Sequence, residues 1–388
     1  MRPLATAVCG LVLQFGPANG QVFEVTSPAV ETGANFGFGV VVGPDINDDG
    51  AREFAVGAVT EDVDGVGDSG AVHVFDGRNR EHLMRLAPPS PGIFDRRGEA
   101  IAAIDDITGD GVDDWAVGAF LFDAAGIQDS GAVDLFDAAN GAHIATLTSP
   151  NPVRNGWFGQ HVSAGGDMTG DGVGEILVGG AYIFDGETRE LVHTVTGVGD
   201  IIAGIPDSTG DGLADFAIAS SSRDSSEVNV FSGADASLVI TVQPPNPEFF
   251  GGLGTALIGL PDVNNDGRGD FAVSAPFATV NAVDSAGKVI IHDGFFGPVL
   301  HELQSPVPTD LGLFGETIAV LENDNGAGVP DLIVGTRGER RAYVMDIVGG
   351  RALRSVPPPR DPGGIEPGQF SEFSHGIAGQ PDINGDGL

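Results

Sequence analysis

The chain has 388 residues, 41% of them hydrophobic, with 61 Gly and 25 Pro spread at intervals between short apolar runs. That is enough apolar material for a packed core and too evenly punctuated for a disordered low-complexity chain. A net charge of -37, with Lys288 the one lysine and the arginines scattered, excludes a nucleic-acid binder and suits cations instead.

The N-terminal stretch MRPLATAVCGLVLQFGPANG sets Arg2 before an apolar run from Leu4 to Phe15, followed by the small residues Ala18 and Gly20. It reads as a secretory signal peptide over residues 1–20; an ordinary buried strand is the alternative. Cys9 is the single cysteine, so no intramolecular disulfide can form and the core or a metal must hold the fold. No later segment reaches the ~18 apolar residues of a transmembrane helix.

From residue 21 onward one pattern repeats. Loops of the form DxxxDG begin at Asp45, Asp106, Asp167, Asp207, Asp262 and Asp382, and a decayed copy, NDNGAGVPD, begins at Asn323. Their spacings of 61, 61, 40, 55, 61 and 59 residues mark an architecture rather than a single site. An aromatic-Gly turn precedes several copies, as NFGFG at Asn35, WFGQ at Trp157, FFGG at Phe249 and LFGE at Leu313. A continuous apolar run follows each loop, as FAVGA at Phe54 or WAVGA at Trp115, and then GAVHVFDG at Gly70 and its echoes. A fourth run closes each unit, as in EHLMRLAPP and AHIATLTSP. The second runs do not alternate, so both their faces are buried, as in four-stranded sheets stacked around an axis.

The expected fold is all-β, a seven-bladed β-propeller of four-stranded blades spanning residues 21–388. Its blades fall near 36–86, 94–148, 157–196, 200–242, 249–304, 314–356 and 370–388, the last incomplete in this chain. QVFEVTSP at Gln21 resembles a fourth strand without its first three, so residues 22–28 are expected to close the last blade.

The loop chemistry points to calcium. Positions one, three, five and nine carry side-chain oxygens, the Gly at position six allows the turn, and position seven can lend a carbonyl. Five loops are complete: Asp45, Asn47, Asp49 and Glu53; Asp106, Thr108, Asp110 and Asp114; Asp167, Thr169, Asp171 and Glu175; Asp207, Thr209, Asp211 and Asp215; Asp262, Asn264, Asp266 and Asp270. The loop at Asp382, with Asn384 and Asp386, is cut off by the chain end. In the decayed copy Ala327 replaces the position-five carboxylate, so that site is expected to be weak or empty. Position twelve falls on Val56, Val117, Val178, Ile218 and Val273, which rules out an EF-hand with its bidentate Glu. Arg268-Gly269-Asp270 spells the tripeptide that adhesion receptors read, but Asp270 is a position-nine residue, and a tripeptide pinned in a loop is a poor receptor ligand.

The turn, loop, AVGA and GAVxVF motifs together resemble the FG-GAP repeats of integrin α-subunit propellers and their bacterial relatives, over essentially residues 21–388. Unit three lacks the loop between LVGG and AYIF, and no FG precedes Asp207. The resemblance implies seven blades, calcium in the loops on one face, and protein, matrix or glycan partners on the opposite face. Residues 59–69, 120–130, 276–285, 87–97, 148–156 and 357–369 would line that face. It further implies a secreted or surface-attached adhesion or interaction module of bacterial type rather than an enzyme. A calcium-dependent carbohydrate-binding propeller and an accessory domain of a secreted enzyme are the alternatives. GDSG at Gly67 has the letters of a serine-protease nucleophile loop, yet QDSG at Gln128 and DSAG at Asp284 hold the same place, so Ser69 reads as a turn residue. The eight histidines show no zinc-ligand spacing.

Overall fold

The computed structural model describes residues 8–14, 21–29, 31, 33–197, 199–222, 225–243, 251–321 and 328–357. An N-terminal hairpin pairs β1 (Val8–Gln14) with β2 (Gln21–Thr26). Six four-stranded sheets follow, each an antiparallel meander in chain order. Blade 1 holds β3 (Phe36–Val42), β4 (Phe54–Ala58), β5 (Ala71–Phe75) and β6 (His82–Leu86); blade 2 holds β7 (Ile101–Ile104), β8 (Asp114–Ala119), β9 (Ala132–Phe136) and β10 (His143–Thr148). Blade 3 holds β11 (Val162–Ala164), β12 (Ile176–Val178), β13 (Tyr182–Phe184) and β14 (Leu191–Thr194); blade 4 holds β15 (Ile201–Ile205), β16 (Asp215–Ser222), β17 (Ser225–Phe231) and β18 (Leu238–Val242). Blade 5 holds β19 (Leu257–Leu260), β20 (Asp270–Ala275), β21 (Lys288–Asp293) and β22 (Val299–Gln304); blade 6 holds β23 (Phe314–Leu321), β24 (Asp331–Thr336), β25 (Arg341–Asp346) and β26 (Arg351–Val356). First strands lie beside one another in the order β3, β7, β11, β15, β19, β23, which is a β-propeller.

The blade count differs from the expected seven. Six blades are present among the described residues, and the segment assigned to the seventh, 370–388, lies outside them. The strand expected to close that blade pairs instead with β1, Leu13 opposite Val22 and Leu11 opposite Glu24. The apolar run at 8–14 is its nearest partner in sequence, and closing a short loop costs less chain entropy than recruiting the far end. Val25 of β2 then packs against blade 1 with Ala34 and Phe36.

The continuous apolar runs behave as their pattern dictates. Every residue of β4, β8, β20 and β24 is buried, and the core is divided into interfaces between successive blades. Val72, Val74 and Leu86 of blade 1 meet Trp115 and Phe136 of blade 2, and Ile104 and Leu135 of blade 2 meet Phe158 and Ile176 of blade 3.

The turns that open blades 2, 3 and 6 clamp each of them to the blade before. Arg97 N–H donates to Ser69 C=O (3.1 Å), Phe158 N–H to Ser130 C=O (3.2 Å) and Phe314 N–H to Ala286 C=O (3.0 Å). A β-carbon at Gly57 would lie 2.0 Å from Gly98 C=O, and one at Gly118 2.0 Å from Gly159 C=O, so the second strand must be bare where the next blade's turn rests on it. In blade 5 this turn is Leu253-Gly254, Gly254 having the same left-handed φ (+93°) as Gly98 and Gly159. That corrects the assignment to FFGG, whose Phe249 and Phe250 lie outside the described residues. The site takes a large side chain, and Leu253 fills it without a ring.

The residue before the turn glycine faces the fourth residue of the GAVHV-type run, and the two vary together. The rings of Phe36 and His73 are 5.9 Å apart, Phe158 and Tyr182 5.4 Å, and Phe314 and Tyr343 6.2 Å. Leu253 and Ile290 share one apolar cluster. In blade 2 the pair is ionic: Arg97 Nε donates to Asp134 Oδ2 at 2.6 Å, its guanidinium also reaches Asp95, and Arg97 and Asp134 are 2% and 0% exposed. His143 and Thr146 complete the shell of Asp134.

Removing one partner of a buried ion pair strands the other, at about 3–5 kcal/mol. Arg97→Ala should therefore lower unfolding stability by that amount in urea titrations. The double change Arg97→Phe with Asp134→Tyr, which copies the pair in blades 3 and 6, should recover most of the loss; no recovery would show that the two positions do not form a matched unit.

Candidate functional site

The connections between first and second strands, and between third and fourth, share one edge of every antiparallel blade, so all the described DxxxDG loops lie on one face of the propeller. Each is folded by its own oxygens. The position-one carboxylate accepts the Gly N–H at position six: Asp45 from Gly50 (2.8 Å), Asp106 from Gly111 (2.6 Å), Asp167 from Gly172 (3.0 Å), Asp207 from Gly212 (2.8 Å) and Asp262 from Gly267 (2.7 Å). The position-five carboxylates of Asp49, Asp110, Asp171, Asp211 and Asp266 accept the N–H two residues on. The third-position amides of Asn47 and Asn264 donate to Asp76 and Asp293, which open the neighbouring turns between third and fourth strands.

Position nine is the innermost. Glu53, Asp114, Glu175, Asp215 and Asp270 are buried at the start of the second strand, or one residue ahead of it. One oxygen of each accepts the N–H at position two: Ile46 (2.7 Å), Ile107 (3.0 Å), Met168 (2.5 Å), Ser208 (2.7 Å) and Val263 (2.7 Å). Where the residue is Asp, its other oxygen accepts an N–H from the turn after the third strand, from Ala138, Gly233 or Gly294. In the two Glu loops the second oxygen, Oε1 of Glu53 and of Glu175, is buried with no hydrogen-bond partner, as is Thr209 Oγ1 at the third position of loop four.

Burial, reinforced by Asp45 and Asp76, pushes the Glu53 carboxyl up to about 7. Burial likewise raises Asp114 to about 6, with Asp137 and Asp106 adding, and Asp270 to about 6, with Asp293 and Asp266 adding. Glu175 is also raised, mainly by burial. Asp106, at the rim, is held low: backbone N–H donors outweigh its burial.

Neighbouring loops are joined into a chain. The position-eight N–H of one donates to the position-one carbonyl of the loop before: Ala214 to Asp167 and Gly269 to Asp207, both 2.8 Å. Gly174 N–H donates to Asp105 (2.9 Å), Arg189 reaches Ile107 C=O and Arg268 reaches Ser208 C=O at 2.7 Å. Arg78 pairs with Asp49 within blade 1. These arginines, and the Asp76 and Asp293 turns, are partners that motif reading missed; the signal for those turns is the DG pair after the third strand of blades 1, 3 and 5. The tripeptide Arg268-Gly269-Asp270 is consumed by this lattice. Asp270 is 0% exposed, and Arg268 lies over the Phe295 ring at 4.1 Å.

The structure thus gathers the five complete loops on one face. Asp382, Asn384 and Asp386, and residues 322–327 of the decayed loop, lie outside the described residues. Among the described residues no three carboxylate, histidine or cysteine side chains converge as a preformed metal cluster, and no helix is long and apolar enough to cross a membrane. Ser69, the residue with protease-like neighbours, is buried, and its carbonyl takes the Arg97 N–H.

A carboxyl whose folded pKa lies above its unfolded value stabilises the fold below the unfolded pKa and loses that contribution as pH rises through the folded one. Without cations, stability should fall between pH 4.5 and about 7, Glu53 accounting for on the order of 3 kcal/mol. Glu53→Gln should flatten that window in chelator-containing buffer; an unchanged pH profile would remove Glu53 as its source.

Comparison with known proteins agrees with the repeat. Residues 253–292 match the FG-GAP repeat family model, beginning at the Leu253-Gly254 turn. Integrin alpha-8 of Gallus gallus is 28% identical over 68% of this chain, and integrins alpha-PS5 and alpha-PS3 of Drosophila melanogaster are 31% and 32% identical over 38% and 33% of it. The aligned part makes up 22%, 15% and 12% of those relatives, so the chain spans less than a quarter of their length. Among solved structures, Kuenenia stuttgartiensis hydrazine synthase shares the fold, with a TM-score of 0.50 and 15% identity over 79% of this chain and 83% of that one. Matched repeat, recurring turns and integrin alpha relatives together make this chain similar to the integrin alpha-like FG-GAP repeat proteins.

Proposed function

We propose that the chain is a calcium-stabilised extracellular propeller of bacterial type, a binder rather than an enzyme, which engages protein or matrix partners through the face opposite its acidic loops. The observation that carries this reading is the alignment of five equivalent oxygen-rich loops on one face, with buried carboxylate oxygens of Glu53 and Glu175 left unpartnered. A hard cation with six to eight oxygen ligands would meet a mixed set in each loop, and calcium tolerates such irregular sets where magnesium demands an octahedron. The holders would be the side chains at positions one, three, five and nine, with a carbonyl at seven. Bound there, calcium would supply positive charge to carboxylates that otherwise repel one another and take up protons. The chain's own residues do the rest. Position one shapes the turn, position nine staples it to the second strand, and the arginines Arg189 and Arg268 tie one loop to the next.

The opposite face is left to the longer connections between second and third strands and between blades. Residues 59–69, 120–130 and 276–285 lie there, as do 87–97 and 148–156; of 357–369, only 357 is among the described residues. Integrin alpha relatives make protein partners the first class to test.

Thermal unfolding in millimolar Ca²⁺, in millimolar Mg²⁺ and in EDTA tests the metal part. Each independent site with calcium at ~100 Kd adds roughly 2.7 kcal/mol, so a large rise in Tm specific to Ca²⁺ is expected. Equal melting in Ca²⁺ and EDTA would reduce the loops to self-satisfied Asx turns.

A further inference from the structure

Blade 3 differs from its neighbours on the face opposite the loops. Its connection between second and third strands is only Gly179, Gly180 and Ala181, where blades 1, 2 and 5 carry twelve-residue excursions. Blade 6 also has a short connection, but there Glu339 folds over the third strand and accepts the Tyr343 hydroxyl at 2.7 Å. Two glycines have no side chain to do this. The consequence is visible at the third-strand position paired with the opening turn. His73, Asp134, Asn229, Ile290 and Tyr343 are all 5% exposed or less, whereas their counterpart Tyr182 is half-buried.

The uncovered space is a cleft of about 120 Å³ between blades 2 and 3. Trp157 stands at its wall, 47% exposed. It holds a left-handed backbone (φ 50°), a conformation that costs a bulky residue on the order of 1 kcal/mol or more and that Asn35 and Arg96 fill in blades 1 and 2. The Tyr182 ring leans on Phe158 in the floor, and its hydroxyl lies 3.4 Å from Ser149 Oγ. Asn151, Gln160 and His161 offer amide and imidazole groups around the rim, and Asp200 one exposed carboxylate. Burial lowers the His161 pKa, so its ring is neutral near pH 7. No lysine or arginine lines the cleft.

From these features we infer that the cleft binds a neutral pyranose unit of a glycan, its apolar C–H face on Trp157 and its hydroxyls on Asn151, Gln160 and the Tyr182 hydroxyl. Anionic ligands are disfavoured by Asp200, by the missing cations and by the charge of -37. A quaternary ammonium needs several open ring faces, and here Trp157 is the one exposed ring, Phe158 being buried. A ring platform flanked by a few convergent polar groups fits a ligand with one apolar face and many hydroxyls. This site goes beyond the proposed interaction role and does not depend on the metal reading.

The chain has two tryptophans, and Trp115 is buried, so collisional quenching of fluorescence by acrylamide reports on Trp157. Methyl glycosides of glucose, galactose, mannose and N-acetylglucosamine should be titrated in Ca²⁺ and, at a temperature where the protein stays folded, in EDTA. At least one is expected to protect saturably in the millimolar range under both conditions, while melting curves read the metal separately. Asn151→Ala, at an exposed position, should weaken that glycoside about 3- to 10-fold, the effect of one lost hydrogen bond. Trp157→Ala should abolish saturation-transfer NMR signals from the sugar without changing Tm by more than a few degrees. The assignment is overturned if no glycoside protects, if Asn151→Ala and Trp157→Ala both bind as the parent does, or if choline or an uncharged acetylated tetrapeptide protects in place of the sugars.

Discussion

The fold depends on how closely one blade's opening turn can rest on the second strand of the blade before it. At Gly57 and Gly118 the facing carbonyls of Gly98 and Gly159 occupy the place of a β-carbon, so backbone meets backbone with no side chain between. That contact fixes the stacking distance, and the rest of the interface must fill whatever space it leaves. The side chain before each turn glycine is therefore not free: it reaches the third strand of its own blade and must match what it finds there. Ring against ring, Leu253 against Ile290 and Arg97 against Asp134 are three solutions to one volume and polarity constraint. The ionic solution is the least forgiving, because an unpaired partner remains in the interior.

Such a frame separates the two faces. On the loop face, the position-nine carboxylates are anchored inside the sheet and the loops are hydrogen-bonded to one another, so a change in one is felt by the next. On the other face, connections range from Gly179-Gly180-Ala181 to the excursion at 120–130 without disturbing the clamp, since the clamp uses only the last residues of each connection. Variation in length is tolerated there, and a short connection uncovers surface that a long one hides.

Much of this was legible in the sequence because repetition converts a weak local signal into a strong one. Unbroken runs such as FAVGA and WAVGA gave away strands buried on both faces, and acid at position nine in every complete loop gave away a common loop fold. What was not legible required knowing which position faces which. Arg97 looks like an ordinary surface charge in RRGEA until the structure sets it against Asp134, and Leu253 looks unlike an FG aromatic until its glycine is seen to make the same turn. The lost connection of blade 3 could be read from LVGGAYIF, but not that Glu339 compensates in blade 6 while nothing does so in blade 3. Strand count failed at the N-terminus for a related reason: Gln21–Thr26 has the pattern of an edge strand, and pattern alone does not say which edge it joins.

Position nine carries the tension between structure and function in this chain. As Asp, the residue bonds to two backbone segments at once and satisfies both its oxygens; as Glu, it keeps the bond to position two and leaves its second oxygen bare. Had the loops evolved only as turns, Asp would be the better residue everywhere, since a bare buried carboxylate oxygen costs about 1–3 kcal/mol or more. Glu53 and Glu175 accept that cost, and with it carboxyl groups that protonate more readily than an exposed carboxylate. Under the proposed reading, a cation would turn the same bare oxygen from a liability into a ligand. The Asp loops would then be the ones able to stand without an ion, and the two Glu loops the ones with most to gain from it.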